Sequence, residues 1–82
     1  MPFTVYILQS EVTFRYYVGH TQNFEQRFIE HNNGKSPSTH NGIPWPLVHS
    51  ESFPTRSLAM QREMKIKKRG IARSLQDISN IG

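Results

Sequence analysis

The chain has no cysteine, which excludes a disulfide framework and any thiolate metal site. It also lacks an apolar run long enough for a signal peptide or a membrane span, so the reading is a cytoplasmic protein with no membrane partner. Acids are scarce, six against ten lysines and arginines, and the net charge of +4 favours anionic partners. Charge alone does not identify one, because a mildly basic surface is equally a solvated one. No repeat, linker or low-complexity segment interrupts the 82 residues, and residues 1–82 are expected to form one domain. Hydrophobic residues are only 35% of the chain, so the core has to be small, with five Phe, three Tyr and one Trp supplying much of it.

What is there reads in order as strand, strand, helix, loop, strand, helix, helix. Phe3 to Gln9 is rich in strand formers, with Phe3, Val5 and Ile7 on one face and Thr4, Tyr6 and Leu8 on the other. A short polar turn leads into Phe14 to His20, giving an antiparallel hairpin in which Gly19 marks backbone freedom or close approach. Asn23 caps a helix over about 24–32, with Gln26 placed for a capping-box variant and Asn32-Asn33-Gly34 as the stop. Residues 35–46 carry Ser, Thr, Asn, Gly and Pro, which predicts a mobile loop pinned only by Trp45. Leu47 to Phe53 is a third strand stopped by Pro54; Thr55 caps a long helix to about Arg69, and Ile71, Leu75 and Ile78 have the spacing of a further short helix. The expected fold is α/β (α+β), a three-stranded antiparallel sheet flanked by helices.

Several side chains suit phosphodiester chemistry, which needs an activated nucleophile, cations where charge develops and help for the leaving oxygen. Tyr6 and Tyr17 stand on neighbouring strands, where a suitable register brings their hydroxyls together to orient or deprotonate a water. An ordinary phenol titrates near pH 10, so a tyrosinate would need a neighbouring cation or metal. Arg27 and His31, four apart on one helix, share a face and can reach one ligand; the planar arginine fork matches a phosphate. Glu63 is the candidate ligand for Mg²⁺ or Mn²⁺, since such ions take one or two carboxylates and leave the rest to water and phosphate. Each has a plainer reading: half-buried sheet tyrosines, a solvated Arg–His pair, and an ion pair from Glu63 to Lys67. His20, Lys65, Lys67, Lys68 and Arg69 are the candidate nucleic-acid contacts, with Trp45 or Tyr16 available to stack on an unpaired base. The four histidines have no tight ligand spacing, so a histidine-based zinc site is not expected.

Taken together, Thr4-Val5-Tyr6, Tyr17-Val18-Gly19, Arg27-x-x-x-His31 and the later Arg62-Glu63 resemble the GIY-YIG nuclease family, in its small single-domain, UPF0213-like type. The resemblance spans residues 3 to 70, and departs where Thr4 replaces the first glycine and valine replaces isoleucine in both triplets. It implies water activation by Tyr6, a shaping or assisting role for Tyr17, a phosphate clamp at Arg27, a site role for His31 and metal binding at Glu63. The implied activity is metal-dependent endonuclease cleavage of DNA, with RNA sharing the backbone chemistry. The alternative is a catalytically silent nucleic-acid-binding module that acts with a partner protein. Family nucleases join this domain to one that finds the target, so targeting here is expected from a partner protein or a second copy of the chain.

Overall fold

The computed structural model describes residues 2–80. A three-stranded antiparallel sheet is built from β1 (Phe3–Gln9), β2 (Tyr16–Thr21) and β3 (Leu47–Phe53), in the order β2-β1-β3. The helices are α1 (Phe24–Asn32), α2 (Arg56–Arg69) and α3 (Ile71–Ser79). None of them is long and apolar enough to cross a membrane.

β1 is the central strand and is covered on both faces, which is why Val5, Tyr6, Ile7 and Leu8 are all buried. The alternation of its side chains divides the core in two. Val5 and Ile7 join Val18, Ala59 and Ile66 beneath α2, with Ile71 and Leu75 of α3 against them. Tyr6 and Leu8 join Trp45 on the other face, with Tyr17, Phe24, Phe28 and Ile43 packed around them. Thr55 starts α2 by accepting from the Leu58 N–H at 3.2 Å. Gly70, at φ +97°, turns the chain from α2 into α3.

The hairpin differs from expectation at its second strand, which begins at Tyr16 rather than Phe14. Ser10 Oγ accepts from the N–H groups of Val12 and Thr13, and Ser10 O from that of Phe14, so those residues form a turn. Phe14 adopts φ 62° there and leaves its ring exposed.

The segment 35–46 is also not the loose loop its composition suggests. Trp45 is buried, its indole N–H donates to Thr39 O, and its backbone N–H donates to Asn32 Oδ1 at 2.6 Å. Asn32 Nδ2 returns the bond to Trp45 O at 3.1 Å, and Ser10 Oγ donates to Gly42 O. Gly42 is required by space, because an added Cβ would lie 2.6 Å from Trp45 Cζ2. A burial of 96% also withdraws Trp45 from the base-stacking role its exposure in a loop would have allowed.

Candidate active site

The antiparallel register sets Tyr6 opposite Gly19 and Leu8 opposite Tyr17, so the two tyrosines sit diagonally on one face. Their ring centroids are 6.1 Å apart. Gly19 makes this approach feasible: a Cβ there would stand 2.8 Å from Tyr6 Oη and 3.1 Å from Tyr17 Cε1. α1 closes over the pair. Asn23 Oδ1 accepts from the Gln26 N–H at 3.3 Å, and the Gln26 side chain meets that of Asn23, so the cap fixes where the helix starts. From that start, Phe24 packs edge-on against Tyr6 at 5.4 Å and His31 comes to 4.7 Å from the Tyr17 ring.

A cleft of about 470 Å³ opens beside this cluster, and Tyr6, Tyr17, Gly19, His20, Arg27 and Glu63 are on its wall. With Ile71 of α3 also on the wall, five elements contribute to one cavity. Lys67 and Ser38 line it as well.

His31 is not on that wall. It is fully buried behind the tyrosines, with Nε2 2.9 Å from Tyr6 Oη and Nδ1 2.8 Å from Thr39 Oγ1. Arg27 and His31 therefore share a helix face without reaching one ligand, since one helical turn carries His31 beneath the sheet's aromatic layer while Arg27 stays at the cleft, 38% exposed and bonded to Glu30 at 2.9 Å. Burial pushes His31 below its ordinary pKa, and the nearby Arg27 charge adds to this. Burial also pushes the Tyr6 phenol up to about 12, aided by the Tyr17 hydroxyl and opposed by Arg27. Tyr6 is thus a neutral phenol facing a neutral imidazole.

Glu63 is 15% exposed, and both its oxygens are engaged at 2.7 Å, Oε1 by His20 Nδ1 and Oε2 by Lys67 Nζ. Burial raises its pKa, but the hydrogen bonds and charges of Lys67 and His20 outweigh this and hold it below the usual carboxylate value. The ion pair to Lys67 and the placement in the cleft are therefore both realised. Glu63 is the one carboxylate on the cleft wall, and among the described residues no three His, Cys, Asp or Glu side chains cluster as a metal cage.

The basic residues expected at the end of α2 are divided by the structure. Lys67 reaches the cleft, and His20 is across from it. Lys65 and Lys68 line a depression with Gln61 and Met64 that shares Lys67 with the cleft, and Arg69 gives its guanidinium to Asp77 at 3.0 and 3.2 Å. Arg62 is likewise committed, donating twice to Glu51 at 2.8 and 3.0 Å.

Arg15 and Arg56, by contrast, form no ion pair among the described residues. Arg15 lines a cleft that shares Tyr16, Tyr17 and Ser38 with the central one, and Arg56 lines another that shares His20 and Arg27. Sequence reasoning missed both arginines and Thr39. Nothing local marks them: Arg15 and Thr39 depend on how the hairpin turn and the 35–46 segment fold, and Arg56 on where the start of α2 docks beside α1 and β2.

A model described as the GIY-YIG catalytic domain matches residues 2–75, and the chain belongs to that family. Its relatives there are UPF0213 proteins. That of Natronomonas pharaonis is 46% identical over 52 residues, 62% of this chain and 61% of that one, so the match spans under two-thirds of that relative's length. That of Staphylococcus saprophyticus is 39% identical over 64 residues, 77% of this chain and 78% of that one. The solution NMR structure of a UPF0213 protein from Bacillus halodurans superposes with a TM-score of 0.61 at 30% identity, covering 96% of this chain and 84% of that one.

Proposed function

We propose that the chain is a metal-dependent endonuclease that hydrolyses phosphodiester bonds in DNA, with RNA sharing the chemistry. The convergence of a tyrosine, an arginine and a buried-edge carboxylate on one cleft carries this reading. The donor set fits a hard divalent cation: one ionised carboxylate, with waters and substrate oxygens completing the shell, is enough for Mg²⁺ or Mn²⁺ once Lys67 yields. Such an ion, when bound at Glu63, supplies Lewis-acid stabilisation of the phosphoryl oxygens.

The chain's own residues do the rest. Arg27 holds the scissile phosphate through its planar fork. A phenol with a pKa of about 12 is not a base by itself near neutral pH. Tyr6 accepts the water proton only as its own passes to His31 Nε2, 2.9 Å away. The hydroxide then forms the new P–O bond, one ester P–O bond breaks, and the departing oxygen is protonated from solvent. His31 thus acts through Tyr6. Arg15 and Arg56 extend the positive track on either side of the cleft, where they meet phosphates flanking the cut.

A second reading is a nucleic-acid-binding module that acts with a partner protein. The engagement of both Glu63 oxygens by His20 and Lys67 favours it, because a metal has to displace an existing cation. Cleavage of labelled duplex, single-stranded, flap and four-way-junction DNAs, with Mg²⁺, Mn²⁺ or chelator, separates the two. Metal-dependent cutting that disappears in Arg27→Ala and Glu63→Gln supports the enzyme. Salt-sensitive binding without any cutting favours the module.

A further inference from the structure

We propose that Thr39 is a positioning residue: its hydroxyl fixes the His31 ring in the tautomer that carries hydrogen on Nδ1 and turns the Nε2 lone pair to Tyr6. The catalytic meaning of this rests on the nuclease reading above; the tautomer does not.

Both side chains are fully buried, so neither can turn to water for a partner. His31 lies in the last turn of α1, where carbonyls have no intrahelical N–H to receive. The N–H that would serve it, that of Lys35, donates to Glu30 O instead at 3.1 Å. The Thr39 hydroxyl donates to the His31 carbonyl at 3.5 Å, while its oxygen lies 2.8 Å from Nδ1 of the same residue. One hydroxyl has one proton. With that proton directed to the carbonyl, the oxygen presents lone pairs to Nδ1, and only an N–H at Nδ1 makes the contact attractive. Nε2 is then the acceptor for the Tyr6 hydroxyl at 2.9 Å. The opposite arrangement, with Nε2–H pointing at Tyr6 and Nδ1 accepting from Thr39, strips a buried helix-end carbonyl of its donor and removes the lone pair that receives the Tyr6 proton.

Thr39 is itself held in place. Its N–H donates to Ser36 O at 3.2 Å, and its carbonyl accepts from the Gly42 N–H and from the Trp45 indole. This gives the 35–46 segment a purpose beyond covering the sheet: Trp45 anchors Thr39, Thr39 orients His31, and His31 faces Tyr6.

The test is long-range ¹H–¹⁵N correlation NMR of the imidazoles near neutral pH, on wild type, Thr39→Ser and Thr39→Val. Wild type and Thr39→Ser should show His31 with hydrogen on Nδ1, and Thr39→Val, which keeps the shape and loses the hydroxyl, should move the tautomer ratio about tenfold towards Nε2–H. A wild-type His31 already protonated on Nε2 overturns the proposal, whether or not Thr39→Val folds, and so does a Thr39→Val ring identical to wild type. In cleavage assays Thr39→Val should lower kcat about tenfold or more with KM unchanged, and Thr39→Ser should restore it. Should wild type cleave nothing, the nuclease reading fails, while the tautomer result still decides this proposal.

Discussion

Both faces of the sheet bury aromatic and aliphatic side chains, yet they are built on opposite rules. Beneath α2, Val5, Ile7, Val18, Ala59 and Ile66 meet without a polar side-chain atom among them. Beneath α1, Tyr6 meets His31 and His31 meets Thr39 through a chain of hydrogen bonds, with Arg27 at its open edge; Glu63 reaches the same cleft from α2, on the side of Val5 and His20. Apolar packing tolerates exchange of shape for shape, whereas a buried polar chain fails when one member is lost. Apart from Glu63, which α2 contributes to the cleft, the first face should therefore govern stability and the second activity.

Ile66→Ala, at a site with no solvent exposure, should break that division from the stable side. We expect a loss of about 2–5 kcal/mol in chemical denaturation, with cleavage per folded molecule unchanged. Arg27→Ala attacks the other face: single-turnover cleavage should fall about 10²- to 10³-fold, while the denaturation midpoint moves little, because the residue is partly exposed. Gly19→Ala should affect both, since its Cβ would press on the two tyrosines; about 1–3 kcal/mol of stability should go, together with activity. Arg15→Ala should leave stability alone and Arg56→Ala cost about 0.5–1 kcal/mol, since its guanidinium sits 5.0 Å over the Phe3 ring; each should flatten the salt dependence of oligonucleotide binding by about 0.7 to 0.9 in log–log slope, with ion-paired Arg69→Ala as the unaffected control.

The pH dependence sharpens the contrast further. His31 has a folded pKa below the ordinary 6.5, so the unfolded chain binds its proton first as the medium is acidified. Its contribution to stability is complete above the unfolded value and is lost as pH falls below 6.5 towards the folded value. Denaturation of wild type and His31→Gln across that range should show a smaller acid loss in the variant.

How much of this was legible beforehand follows the same divide. The strands and helices announced themselves through alternation in Phe3–Gln9, the Asn23 and Thr55 caps and the glycine after Arg69. The polar cluster was legible in its members, through the two tyrosine triplets and the Arg27–His31 spacing, but not in its wiring. Helical periodicity puts Arg27 and His31 on one face and cannot say that one ends in the cleft and the other behind it. The Lys65–Arg69 run reads as a nucleic-acid track, and only the fold shows that Asp77, on the next helix, pairs with Arg69 while Lys65 and Lys68 line a depression that shares Lys67 with the cleft. Composition misjudged residues 35–46 because Ser, Thr and Gly there form a hydrogen-bonded anchor around Trp45, a tertiary arrangement without a local signature.

The central claim is that Tyr6 moves a proton rather than merely filling the core. Single-turnover cleavage of the best substrate by Tyr6→Phe tests it most directly, with denaturation and binding measured on the same preparation. Removing one buried hydroxyl should cut the rate about 10²- to 10⁴-fold, with affinity close to wild type and about 1–3 kcal/mol of stability lost as His31 Nε2 is left without a partner. A Tyr6→Phe protein that cleaves at the wild-type rate would contradict the account.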